Sequence, residues 1–253
     1  MIDLHSHLLP NIDDGSRSLE QSVAVLEALA AGGVTEVVLT PHTSVSALAD
    51  HLEDELAHRD ETFAIFEAGA PRVPRLHLGF EVMLDREPPP SLLDDRRLTL
   101  GSSRYLLVEF RMMVRPDRAS ALLQAVSTSG VVPIVAHPER YRHCSREDIA
   151  NWRGLGAKLQ VDATTLGRRG PRGHAARALV EAGLADVAAA DNHGDGKSVV
   201  SAARTLAEYR HEEVGRLLVY DNPRAVLEDR ILSPVPPIRL LRPGLLSRVR
   251  SRF

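Results

Sequence analysis

Two histidines stand two apart in DLHSHLLPNIDDG, residues 3 to 15, at the end of the chain's first apolar run. Val or Thr would suit a strand better there, so His5 and His7 need a chemical reason. Residues i and i+2 of a strand face the same side, and both imidazoles can therefore turn toward one ion. Asp191 and His193 repeat that spacing in ADNH. Either pair alone is weak evidence, because a single histidine on an apolar face is ordinarily a core residue. The joint pattern is stronger. His42 in TPH, Glu81 in GFEV, Glu109 in LVEF and His137 in AHPERY each close a further apolar run, and Asp14 lies in the loop after the first.

Five imidazoles and four carboxylates gathered in one place need compensation, since the carboxylates repel one another or take up protons. Divalent cations supply it. One ion takes about four to six protein donors, so nine side chains with a bridging carboxylate suit two or three ions. The implied chemistry is hydrolysis, because such ions lower the pKa of water from 15.7 toward ~7.

Convergence requires a scaffold. Apolar runs at 2–5, 36–40, 76–82, 105–110, 131–136, 158–161 and 186–190 predict strands, and amphipathic stretches at 19–31, 47–68, 117–129, 145–154, 174–182 and 199–213 predict helices. Glycines at 32, 33, 130 and 183 stand just past helices, where a helix ends. This alternation argues for an α/β fold with a parallel sheet. The pattern leaves open a barrel, whose strand ends all meet at one mouth, or a doubly wound open sheet.

The 253 residues, 43% hydrophobic, suffice for one sizeable core. A net charge of −3 argues against a general nucleic-acid binder. Lys158 and Lys197 are the only lysines, and Cys144 is the only cysteine, which excludes an internal disulfide or a cysteine-based zinc site. No apolar run reaches the ~18 residues of a membrane helix, and the first residues lack a basic and then apolar leader, so the cytoplasm is the expected location. Residues 231–253 differ: Pro234, Pro236, Pro237 and Pro243 with Arg239, Arg242, Arg248, Arg250 and Arg252 predict a peripheral tail beyond a main domain of residues 1–230.

MIDLHSHLLPNIDDG, TPH, GFEV, LVEF, AHPERY, LQVDATTLG, DNH and the late DNP occur in this order from Met1 to Pro223. Together they resemble the PHP (polymerase and histidinol phosphatase) superfamily. Within it, IDDG and AHPERY resemble most closely the bacterial protein-tyrosine phosphatases of capsule and exopolysaccharide synthesis, the CpsB/CapC-like branch. The resemblance implies a distorted seven-stranded (β/α)7 TIM-like barrel with a three-metal site, usually assigned manganese, iron and zinc being the alternatives. By position, His5, His7, Glu81 and Asp191 would hold the first ion. Glu81 would bridge to a second, also held by Glu109 and His137. Asp14, His42 and His193 would hold the third and stabilise the leaving group. Arg140 would bind the substrate phosphate.

A second phosphate-binding arginine usually follows the last DxH. Here GDGKSVV offers Lys197, which has charge but no bidentate fork. The usual SDxH reads ADNH, so Ala190 removes a hydroxyl but no ligand. The implied substrate is a phosphotyrosyl protein, the tyrosine-rich tail of a bacterial kinase that controls polysaccharide export. Oligomerisation is compatible with the resemblance; nucleic acid and an integral membrane segment are not expected. The same ligands would serve a histidinol-phosphatase-like enzyme of small esters, or a metal-bound regulator without activity.

Two decoys fail. HCSR opens like a cysteine-phosphatase loop, but the arginine needed six residues after Cys144 is Ala150. Gly196-Lys197-Ser198 ends like a phosphate-binding P-loop, but Asp191 stands where its first glycine belongs.

Overall fold

The structure, a computed structural model, describes residues 1–240. Its strands are β1 (Ile2–Ser6), β2 (Glu36–Leu39), β3 (His42–Ser44), β4 (Arg75–Leu78), β5 (Glu81–Met83), β6 (Tyr105–Glu109), β7 (Val132–Ala136), β8 (Lys158–Asp162) and β9 (Val187–Ala189). The α-helices are α1 (Leu19–Ala31), α2 (Val45–Gly69), α3 (Pro90–Leu93), α4 (Pro116–Thr128), α5 (Arg146–Gly154), α6 (Pro171–Glu181), α7 (Val200–Glu208), α8 (Glu212–Arg216) and α9 (Asn222–Leu227). Residues 241–253, with Arg242, Pro243, Arg248, Arg250 and Arg252 of the expected tail, lie outside the described residues.

The strands form two parallel sheets, one in the order β1-β2-β4 and one in the order β3-β5-β6-β7-β8-β9. The predicted strand at 76–82 is two, β4 and β5, and β3 is an unforeseen continuation of β2. The two breaks lie side by side, with Gly79 N donating to Leu39 O and Glu81 N to Pro41 O. Pro41 has no N–H to give a ladder, which ends β2 where the sequence pattern ran on. At the other edge β1 meets the end of β9: Ser6 bridges to Asn192, His7 N donates to Asn192 O at 2.7 Å, and Asp191 N to His5 O at 3.1 Å. The buried Asp3 carboxylate tightens this junction by accepting from Ala190 N at 3.0 Å.

Apart from the less buried β3 and β4, period-two alternation gives the strands two buried faces, as parallel strands require. Ile2, Leu4, Val38, Leu107, Ile134, Ala136 and Val187 share one apolar cluster. Val37, Leu39, Leu106, Val108, Val135, Leu159 and Val161 belong to the other, with Leu26 and Leu29 of α1, Leu122 and Leu123 of α4 and Trp152 of α5. Capping agrees with the helix boundaries. The Ser18 side chain accepts from Gln21 N before α1, and Ser145 and Asp148 form a capping box on α5.

The predicted helix at 199–213 breaks into α7 and α8 because Arg210 takes a left-handed backbone, φ 62°. Part of the expected tail packs against the main domain, while Ile231, Ser233, Pro234, Pro236, Pro237 and Arg239 stay exposed. Leu232 and Val235 are buried, and Ile238 N and Leu240 N donate to Glu181 O and Glu181 Oε1 at the end of α6. Among the described residues no helix is long and apolar enough to cross a membrane.

Candidate metal centre

Every predicted donor arrives at the same end of the sheets. His5 stands one residue before the end of β1 and His7 follows the strand; a register shift between Asp3 and Ser6 interrupts the β1–β2 ladder where such bulges re-aim side chains. His42 begins β3, Glu81 begins β5, Glu109 ends β6, His137 follows β7, and Asp191 and His193 follow β9. His137 and Asp191 adopt left-handed backbones, φ 37° and 51°, which non-glycine residues hold only when their surroundings impose it.

Asp14 comes in on the loop after β1, and the glycine of IDDG explains the loop's path. A Cβ on Gly15 would lie 2.1 Å from His7 O, so only glycine allows this close approach. Ser16 N then donates to His7 O at 2.9 Å.

Three groups of donors emerge: His5, His7, Glu81 and Asp191; His42, Glu81 and Glu109; and His7, Asp14, His42 and His193. In the first, His5 Nε2 lies 3.1 Å from Glu81 Oε2, 3.4 Å from Asp191 Oδ1 and 3.1 Å from His7 Nε2. His7 Nε2 lies 3.3 Å from Glu81 Oε2 and 3.5 Å from Asp191 Oδ1. Donors around a tetrahedral ion with bonds of ~2.1 Å stand ~3.4 Å apart. His42 Nδ1 is 3.1 Å from Glu81 Oε2 and 3.3 Å from Glu109 Oε1, while its Nε2 and His193 Nε2 each lie 3.4 Å from Asp14 Oδ1. The second and third groups differ from the expected sets. His42 stands with Glu81 and Glu109, and His7 joins Asp14, His42 and His193. His137 lies alongside, its Nε2 3.0 Å from Glu81 Oε1 and 4.0 Å from Glu109 Oε2.

The donor chemistry suits divalent cations. Glu81 is fully buried, and its Oε2, central to two of the groups, receives no hydrogen bond. An unsatisfied buried carboxylate oxygen is costly unless a cation faces it. Burial alone would raise the Glu81 and Asp191 carboxyls, yet His5 and its neighbours hold both well below the usual carboxylate range. Burial likewise opposes charge on His5 and His7, yet the surrounding carboxylates pull both imidazoles upward. Every one of these directions favours positive charge at the centre of the nest.

Residues not singled out in the sequence orient the donors. Asp13 Oδ2 pairs with His7 Nδ1 at 2.7 Å, and the carboxylate also accepts from Gly15 N and His42 N. Burial works against this anion, but His7 and the two amides bring its pKa down to about 2. Gln160 Oε1, from the middle of β8, meets His5 Nδ1 at 2.9 Å. Such contacts fix which ring nitrogen faces an ion, and losing one typically costs 10–100-fold in metal affinity. Asp13→Ala is therefore expected to weaken divalent-ion binding by about that factor, read by competition with a metal-sensing dye. An unchanged affinity would remove Asp13 from this role. Gln160 could have been noticed as a polar residue in an otherwise apolar strand; nothing in the sequence separates Asp13 from Asp14.

Arg140 and Lys197 flank the nest. Arg140 Nη2 donates to Asp162 Oδ2 at 3.1 Å and also to Asp191 Oδ2. Lys197 Nζ donates to Asp191 O at 2.9 Å. The loop that carries Lys197 is built on Asn192, whose Oδ1 accepts from Gly194 N and whose Nδ2 donates to Lys197 O. Both cations line one cavity of about 900 Å³ together with Asp191 and His193. Tyr141 OH, bonded to Phe110 N and Ala136 O, ties the ends of β6 and β7 beneath it.

A family model described as capsular polysaccharide synthesis, CpsB/CapC, matches residues 1–228. Tyrosine-protein phosphatase YwqE of Bacillus subtilis (strain 168) is 29% identical over 209 residues, covering 76% of this chain and 77% of that protein. A putative tyrosine-protein phosphatase CapC of Staphylococcus aureus is 28% identical over 208 residues, again 76% and 77%. A solved structure from a study of YwqE of Bacillus subtilis and CpsB of Streptococcus pneumoniae, described as unique metal-dependent tyrosine phosphatases, aligns with a TM-score of 0.74. It is 25% identical and covers 94% of this chain and all of that one.

Proposed function

This chain belongs to the CpsB/CapC family of capsular polysaccharide synthesis, and from that membership we propose that it is a metal-dependent phosphatase of phosphotyrosyl proteins. The observation that carries the reading is the convergence of nine imidazoles and carboxylates beside a cavity lined by Arg140 and Lys197.

In this reading His5, His7, Glu81 and Asp191 hold one ion. Glu81, Glu109 and His42, with His137 beside them, hold a second, and Asp14, His42 and His193 contribute to a third. When bound, divalent ions, manganese in this reading, supply an acidified water and neutralise charge on phosphoryl oxygens. The chain's own groups do the rest. Arg140 and Lys197 grip nonbridging phosphate oxygens and hold phosphorus against the nest, the electrostatic positioning on which phosphoryl transfer depends. Asp14 and His42 are the most exposed of the donors, 67% and 33%, at the outer edge of the nest. With His193 they stabilise the departing tyrosinate, a leaving group of pKa ~10 that needs less help than an alkoxide.

The family's description in capsular polysaccharide synthesis supports a substrate coupled to polysaccharide export, for which we take the tyrosine-rich tail of a bacterial kinase. The hydrogen bonds between β1 and the end of β9 support reading the two sheets as one distorted ring of seven chain segments, with residues 1–230 as its unit.

Initial rates on a phosphotyrosyl peptide, a phosphoseryl peptide and histidinol phosphate, with Mn²⁺ present, test the reading. The phosphotyrosyl peptide should give the highest kcat/KM. A preference for histidinol phosphate, or tight binding of phosphotyrosyl protein with no turnover, would contradict it.

A further inference from the structure

The cavity beside the nest has a wall that the phosphatase reading leaves unused. Arg168 and Arg169, from the loop after β8, and Arg172, in the first turn of α6, line the same cavity as Arg140 and Lys197. All three are exposed, and among the described residues none of their guanidiniums lies within ion-pair distance of a carboxylate. Some exposed arginines elsewhere are matched, Arg97 with Asp95 and Glu53 and Arg230 with Glu228. Three guanidiniums without an ion pair thus stand together at the mouth of the site, in a chain whose net charge is negative.

The backbone that presents these arginines is held in place. Arg177 Nη1 donates to both Leu166 O and Arg168 O, and Arg168 N donates to Thr165 O. Gly173 packs onto this loop so closely that a Cβ there would lie 2.1 Å from Arg168 O. Across from it, Arg172 Nη2 reaches Met112 Sδ, 4.0 Å away, and Met112 and Met113 are both exposed on the loop after β6. A flexible thioether surface beside guanidinium forks accommodates an extended peptide without dictating its apolar side chains.

We propose that Arg168, Arg169 and Arg172 form a specificity subsite that reads acidic residues flanking the phosphotyrosine of the substrate. The inference rests on the phosphatase reading for the placement of the phosphotyrosine at Arg140. The partner is an acidic phosphotyrosyl segment. Carboxylates on either side of the modified tyrosine meet guanidiniums that hold no ion pair among the described residues, so binding has none of these to break. Exposed charge pairs are individually weak, and three acting together are expected to give about a tenfold preference, strongest at low salt.

The test uses the full chain with Mn²⁺ and three probes: para-nitrophenyl phosphate and two phosphotyrosyl peptides, one with Asp and Glu flanks and one with Ser and Gln flanks. Peptide Kd is measured by fluorescence anisotropy and kcat/KM by phosphate release. Wild-type protein should favour the acidic peptide about tenfold in both Kd and kcat/KM, mainly through KM. The triple variant Arg168→Ala, Arg169→Ala, Arg172→Ala should lose that preference while hydrolysing para-nitrophenyl phosphate as before. Arg168→Glu, Arg169→Glu, Arg172→Glu should reverse it.

Equal treatment of the two peptides by wild-type protein would overturn the proposal, as would a uniform loss on all three probes in the variants. If wild-type protein turns over none of the probes, the phosphatase reading falls, and the ratio of the two Kd values still decides the subsite.

Discussion

Replacing Glu81 with Gln is expected to lower kcat/KM on a phosphotyrosyl peptide by on the order of 10³-fold or more, the largest effect of any single substitution in this protein. Glu81 Oε2 lies within 3.3 Å of ring nitrogens from His5, His7 and His42, and Oε1 lies 3.0 Å from His137. Among the described residues no other carboxylate pairs with four of the imidazoles. Glutamine keeps the shape but presents an amide that cannot supply the anion two neighbouring cations would share. Thermal unfolding distinguishes lost chemistry from lost fold, and the variant should melt cooperatively. Cys144→Ala is the control. Burial pushes the Cys144 thiol up to about 11, so near pH 7.5 only about one molecule in 3,000 carries a thiolate. Turnover should be unchanged by its removal. Retained activity in the first variant, or its loss in the second, would count against the site.

Arg140→Ala should reduce kcat/KM by about 10²-fold, and Arg140→Lys should restore only part of it. Arg140 is one-quarter exposed and lines the cavity, yet its Nη2 is anchored by Asp162 and Asp191. Burial alone would lower its pKa, but the two carboxylates more than offset this, so it stays charged at any working pH. An anchored guanidinium can face a phosphate with its remaining donors at little cost in ordering. Lysine retains the charge without that geometry. Equal activity in the Lys variant and the wild type would show that only charge matters at this position.

The nine imidazoles and carboxylates proposed as donors are legible in the sequence because each stands at the edge of an apolar run or in the loop just past one. The left-handed turns at His137 and Asp191, by contrast, have no signature in residue type. The grouping of the donors is not legible either. Strand breaks at Thr40-Pro41 and Gly79-Phe80 set where His42 and Glu81 point, and they depend on how two neighbouring strands end together. This is why His42 lies beside Glu109 although its position suggests a place with Asp14 and His193 alone. Asp13 and Asp14 are identical in kind, and only the tight passage of Gly15 over His7 turns the first inward and leaves the second exposed. The α7–α8 break turns on a left-handed Arg210, again a backbone choice made by packing.

The most direct measurement pairs metal content with catalysis on one sample. Protein as purified should hold two or three divalent ions per chain, lose phosphotyrosine hydrolysis as a chelator strips them, and recover it in step with added Mn²⁺. Undiminished hydrolysis by protein shown to be free of metal would contradict the account.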